Sequence, residues 1–191
     1  MKERPILFSG EMVKAILEGR KTMTRRLGTG YHREVGDRLW VRETFKLVPE
    51  TAYRSSEGVW QTINPSDPHE AAIYKCGWER SPGSGPWKPS ISMPRWASRI
   101  TLEITDTRVE ELQDITEEDA IAEGVCEYCS SCKALYEDDR NCEFNGYECE
   151  SHGKALKEFK NLWDSINGKK PDKAWDDNPW VWVIEFKEAK S

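Results

Sequence analysis

Ile6, Leu7 and Phe8 form a short apolar run near the start of the chain. Behind Ser9 the apolar positions Met12, Val13, Ile16 and Leu17 recur at helical spacing. This pattern predicts a strand over Arg4–Phe8, then a helix with Ser9 as its N-cap and Gly19 just past its end. Met12 stands where a capping box wants Glu or Gln, so the start signal is partial. A basic turn over Arg20–Arg26 follows. Gly36-Asp37 then precedes an alternating strand over Arg38–Phe45. Ser55–Gly58 reads as a hairpin turn between Thr51–Arg54 and Val59–Ile63, and Ala71–Cys76 reads as a further strand. Pro86, Pro89 and Pro94 keep Trp87–Trp96 extended and irregular. Ser98–Val109 alternates best of all. Thr116 caps a short acidic helix over Glu117–Glu123, closed by Gly124. Lys154–Ile166 carries Leu156, Phe159, Leu162 and Trp163 on one helical face, and Trp180–Phe186 is a closing strand in which Trp180 and Trp182, like Trp163, belong to the core. Strands separated by three short helices predict an α+β domain built on a small, mostly antiparallel β-barrel.

Composition adds little to this until charge is divided along the chain. The 191 residues are 37% hydrophobic and 10% aromatic, enough for a core and against wholesale disorder. No run is long enough to cross a bilayer, and no apolar segment follows the basic start, which predicts a cytoplasmic protein with no membrane partner. The net charge of −6 speaks at first against nucleic acid. Residues 1–46, however, carry eleven bases and six acids, whereas residues 110–150 carry fourteen acids against Lys133 and Arg140. Most of those acids read as a solvated face. Without that block the chain is basic, so the acidic total disfavours a long DNA duplex but not a nucleoside or a short single strand.

Five of the six cysteines and one histidine fall in the same acidic stretch, spaced C-x2-C-x2-C-x9-C-x6-C-x2-H. Thiolates two residues apart can share one metal, and a second pair completes a tetrahedron. In a cytoplasmic chain this favours a structural zinc over disulfides. Cys126, Cys129, Cys142 and Cys149 are the first selection, with Cys132 and His152 as alternates; free structural thiols and redox chemistry remain the other readings. Residues 125–152 read as an insert within a single domain spanning 1–191.

The basic turn holds the candidate chemistry. Past a helix C-cap, Lys21 and Thr24 can point to one side, whereas on a strand residues three apart would face opposite ways. A threonine hydroxyl needs a base, and a lysine is a base only when neutral, which burial and like charge favour. Arg20, Arg25 and Arg26 supply that like charge, or hold a phosphate. A solvated basic turn is the plainer alternative.

The Gly19-Arg20-Lys21-Thr22-x-Thr24-x-Arg26 segment, the Gly36-Asp37-x-Leu39-x-Val41 strand entry and the Val181–Phe186 strand resemble the ASCH domain family. The Trp87–Arg99 segment and the Leu162–Asn167 helix resemble longer ASCH-type proteins of phages and prophages. The resemblance implies a PUA-like barrel and an association with RNA. Some small members are amidohydrolases of N4-acetylcytidine and related acylated cytosines, with a lysine, a threonine three residues on and a distant glutamate. By that resemblance the catalytic residues fall on Lys21, Thr24 and Glu123, acting by acyl transfer with no catalytic cofactor. An order in which lysine activates water and threonine only positions the substrate stays open.

The rival is a non-catalytic module binding a modified nucleobase or short single-stranded RNA. Its candidate contacts are Arg20, Arg26, Trp40, Arg42, Trp87, Arg95 and Trp96, with core packing as the alternative for each tryptophan. Ribonuclease activity is a third class. His32 and His69 read as isolated loop residues and offer it no acid/base pair.

Overall fold

The computed structural model describes residues 1–28, 33–78, 85–125 and 155–189, and the backbone of 143–144 and 147–148. The chain is a mixed α+β protein. Its strands are β1 (Glu3–Leu7), β2 (Met23–Arg26), β3 (Arg38–Arg42), β4 (Phe45–Pro49), β5 (Thr62–Asn64), β6 (Asp67–Tyr74), β7 (Thr101–Glu111), β8 (Glu143–Phe144), β9 (Tyr147–Glu148) and β10 (Trp180–Glu188). The helices are α1 (Gly10–Leu17), α2 (Glu117–Ala122) and α3 (Ala155–Asn167). Among the described residues no helix is long and apolar enough to cross a membrane. The chain divides into two compact units. Residues 1–18, 34–105 and 186–191 form the first, and residues 19–33 and 106–185 form the second. β7 and β10 each run through both.

In the first unit, β1 pairs parallel with β3, and β3 pairs antiparallel with the start of β7 through Leu39↔Leu102. That parallel pair aside, the named strand pairings among the described residues are antiparallel, as the sequence predicts. Among the described residues the strand pairings do not close into a barrel. The predicted Arg38–Phe45 strand breaks in two because Glu43 turns inward, where its carboxylate accepts two hydrogen bonds from the Arg99 guanidinium at 2.8 and 2.9 Å. β4, β6 and β5 form a second sheet in that order. Its hairpin turns at Pro65-Ser66 rather than at Ser55–Gly58. Asn64 accepts from the Ser66 amide at 2.9 Å while Pro65 fixes the turn's first φ, a stronger signal than the serines upstream. Thr51–Arg54 is correspondingly no strand; Glu50–Ala52 is a 3-10 turn bound by the Arg54–Glu50 ion pair.

In the second unit, β2 pairs antiparallel with β10 through Arg25↔Val183 and Thr24↔Ile184. The segment read as a turn is therefore a strand from Met23 onward. Its core joins Met23, Leu112, Ile115, Phe159, Trp163, Val181 and Val183. The Trp163 indole also donates to the Lys173 carbonyl at 2.9 Å. α2 and α3 are tied by the Glu117 carboxylate, which accepts from the Leu156 amide at 3.1 Å in the first turn of α3. Of the closing tryptophans expected in the core, Trp182 is half-buried and Trp180 is 63% exposed, since it begins the strand at the solvent edge.

Gly19 adopts φ +74° just beyond α1, the left-handed geometry that ends a helix and redirects the chain toward β2. Nothing lies within 4 Å of where its Cβ would stand, so substitution costs backbone energy alone. Gly19→Ala is expected to lower stability by about 1 kcal/mol and Gly19→Asn by less, read from urea unfolding midpoints.

Candidate active site

The site grows from the way two distant segments of the second unit satisfy each other. α2 has only six residues, and its last carbonyls need partners outside the helix. Three consecutive residues supply them. The Thr22 amide donates to the Ala122 carbonyl at 2.8 Å, the Lys21 ammonium to the Glu123 carbonyl at 2.6 Å, and the Arg20 guanidinium to the Gly124 carbonyl at 3.5 Å. Cations at a helix C-terminus also face the negative end of its dipole.

Lys21 is buried, with 2% of its surface exposed. Its Nζ donates to the Met23 carbonyl at 2.8 Å and to Glu123 Oε2 at 2.8 Å as well as to the Glu123 carbonyl. Burial pulls the lysine pKa below its ordinary value; Glu123 opposes this, while the charges of Arg26 and Arg25 add to it. Glu123 is the C-cap residue of α2 and is buried too. Among the described residues its Oε1 is a buried acceptor with no hydrogen bond; Arg25 Nη1 stands 3.6 Å from it.

Arg25 is the second buried cation. Its Nη2 donates to Glu110 at 2.5 Å and to Asp119 at 2.7 Å, and its Nη1 lies 3.3 Å from the Met23 sulfur. Arg108 continues the network outward, bonding Glu110 at 3.1 Å and Glu185 at 2.5 Å. Met23 and Arg25 therefore share one face of β2. By strand alternation Thr24 stands on the other face. It is 1% exposed and makes no hydrogen bond to Lys21 or Glu123 among the described residues. The structure thus brings Lys21 and Glu123 together and leaves Thr24 on the opposite face of the adjoining strand, paired with Ile184.

The candidate binding residues divide between the units. Arg26 is half-buried on β2 opposite Trp182. In the first unit Trp40 is buried, with the Arg42 guanidinium carbon 4.6 Å and that of Arg95 5.9 Å from its ring centre. Arg95 also forms a two-point ion pair with Glu3 at 3.0 and 3.2 Å. Trp87 packs edge-on against Trp78 at 5.7 Å, and Trp96 packs on the Phe45 and Met93 cluster. His69 is exposed on β6. His32 and the metal candidates Cys126, Cys129, Cys132, Cys142, Cys149 and His152 lie outside the described residues.

No protein-family model and no curated protein matches this chain. The crystal structure of an ASCH domain from Lactobacillus crispatus JV V101 is similar to it, with 11% identity and a TM-score of 0.42 over 98% of this chain and 78% of that one.

Sequence reasoning gave Arg25 no partners and set most of the 110–150 acids in solvent. Glu110 and Asp119 instead pair with Arg25, while Glu123, already a candidate from the sequence, pairs with Lys21. The signal was the alternation of Met23 and Arg25, which puts the guanidinium on the core side once 23–26 is read as a strand. Arg25→Met leaves Glu110 and Asp119 without their buried partner, and an expected loss of about 3 kcal/mol is checked by chemical unfolding. Arg25→Lys recovers only part, because a point charge cannot serve both carboxylates as the planar guanidinium does.

Proposed function

We propose that this chain is an ASCH-type amidohydrolase that removes the acyl group from N4-acylated cytidine or a related modified nucleoside. The observation that carries the reading is the buried Lys21–Glu123 pair, 2.8 Å between charged atoms, with Glu123 Oε1 left unbonded among the described residues. A general base works best when its pKa lies near the working pH, and burial moves Lys21 in that direction. An unbonded carboxylate oxygen beside it is a place for a proton in transit.

In this scheme neutral Lys21 takes the Thr24 hydroxyl proton as the threonine oxygen bonds to the acyl carbon. The carbon–nitrogen bond then breaks, and the proton passes by way of Glu123 to the departing N4 amine. Water hydrolyses the acyl-threonine, releasing a carboxylic acid and restoring the hydroxyl. No step calls for a metal. A second reading is favoured by the absence of a Thr24–Lys21 hydrogen bond: Lys21 activates a water directly, and Thr24 only positions the substrate.

Incubation with N4-acetylcytidine tests the activity, and absence of turnover by the unaltered chain would refute it. Thr24→Ala should abolish turnover under the first scheme, with acyl-enzyme trapped by hydroxylamine in the unaltered chain; a partial loss and no trapped adduct support the second. The neutral amine is the active form, so kcat/KM should rise with pH through the depressed Lys21 pKa and level off below the 10.5 of an ordinary lysine. Lys21→Arg, which stays charged, should lose both the activity and that limb, while circular dichroism confirms that α2 remains capped. We extend the proposal to a structural zinc on Cys126, Cys129, Cys142 and Cys149. Metal analysis of purified protein should give one equivalent.

A further inference from the structure

We propose that the first unit holds a separate ligand site, a cleft of about 480 Å³ beside β6, that binds a nucleoside monophosphate unit. It shares no residue with the Lys21–Glu123 pair and does not rest on the hydrolase reading.

Three aromatic side chains form its walls. Trp60 is 74% exposed and offers an open aromatic face at the cleft. Trp78 is held edge-on between Tyr53 at 5.1 Å and Trp87 at 5.7 Å, and its buried indole N–H has no acceptor among the described residues. Tyr74 is locked by hydrogen bonds to Thr62 and to the Ala97 carbonyl, and burial pushes its pKa up to about 12, so it stays neutral.

The cleft is also basic. Among the described lining residues, Lys14, Lys75 and Arg99 stand against one carboxylate, Glu18, 3.9 Å from Lys14. Lys75 is exposed and has no ion pair among the described residues. Arg99 is fixed in orientation: Nε and Nη2 bond Glu43, and its guanidinium carbon lies 4.1 Å over the Tyr74 ring. This leaves Nη1 outside those bonds. The volume falls in the range of small-molecule sites, and planar aromatic surface next to cations suits a ring that carries an anion. The Trp60 face takes the base by stacking, and Lys75, Lys14 and Arg99 Nη1 take the phosphate. The same unit can come free or as one nucleotide of a single strand.

Isothermal titration of the full chain with nucleoside 5′-monophosphates, the corresponding nucleosides, inorganic phosphate and a trinucleotide tests this. A monophosphate is expected to bind at least about tenfold more tightly than either the nucleoside or phosphate alone, and less tightly as salt is raised. Trp60→Ala and Lys75→Glu should each weaken binding about tenfold without moving the unfolding midpoint, as both side chains are exposed. Lys170→Glu, the same charge change on an exposed lysine of the second unit, should leave binding intact. A trinucleotide that binds more tightly than the monophosphate assigns the cleft to a strand, and equal affinity assigns it to the free nucleotide. Absence of binding by both at millimolar concentration, or binding that survives both Trp60→Ala and Lys75→Glu, would overturn the proposal. Hydrolysis is not the readout, so failure of the amidohydrolase reading leaves this test intact.

Discussion

The second unit depends on a helix too short to end itself. Six residues of α2 cannot hold their shape in isolation, and its C-terminal carbonyls would face an apolar core without donors. Arg20, Lys21 and Thr22 meet them in reverse order, one residue for one carbonyl, across about a hundred positions of chain. That docking fixes where β2 begins. Met23 follows into the core and Arg25 into the acidic cluster. Burying an ammonium is costly, and Lys21 is tolerated because two carbonyls and a carboxylate converge on it. The interaction that stabilises the fold also buries Lys21, whose pKa burial depresses. Structure and candidate chemistry have a common physical origin.

Around that pair the electrostatics are set by geometry rather than by totals. Arg25 has no exposed side-chain surface, yet three carboxylates stand within 4 Å of it. Glu110 and Asp119 keep some contact with water, at 18% and 21% exposed, and Arg108 shares them from the outer side. Glu123 is the member most withdrawn from solvent and the one whose second oxygen lacks a bond. Glu123 is thus surrounded by positive charge with one oxygen unbonded among the described residues, and its own charge opposes the lowering that burial imposes on the Lys21 pKa.

Much of this was legible in the sequence, where local rules were the deciding forces. Ser9 and Thr116 cap the helices as their side chains dictate, accepting from Met12 and Asp119 at 3.4 and 3.1 Å. The alternating runs at β3, β7 and β10 are strands. Lys21 was visible from its neighbours' charge, and Glu123 from the family resemblance. The misreadings arose where a long-range partner overrode a local signal. Arg20–Arg26 reads as a basic turn until β10 is available to pair with it. Glu43 sits in a run of strand formers, and only the presence of Arg99, 56 residues on, shows why the strand must stop there. Trp163 is marked for the core by its helical face, whereas Trp60 carries no comparable periodicity and is exposed.

The partition of the chain has a consequence of its own. The boundaries fall after Glu18, Arg33, Thr105 and Glu185, so the backbone passes from one unit to the other four times. Neither unit is a continuous piece of polypeptide, and two of the crossings lie inside single strands, β7 and β10. Any single cut leaves both units divided, and a fusion partner placed at the crossings within β7 or β10 would open a strand. Synthesis from the ribosome meets the same constraint. Residues 1–18 and 19–33, the first stretches of the two units, emerge well before β10 and must wait for it before either unit can close.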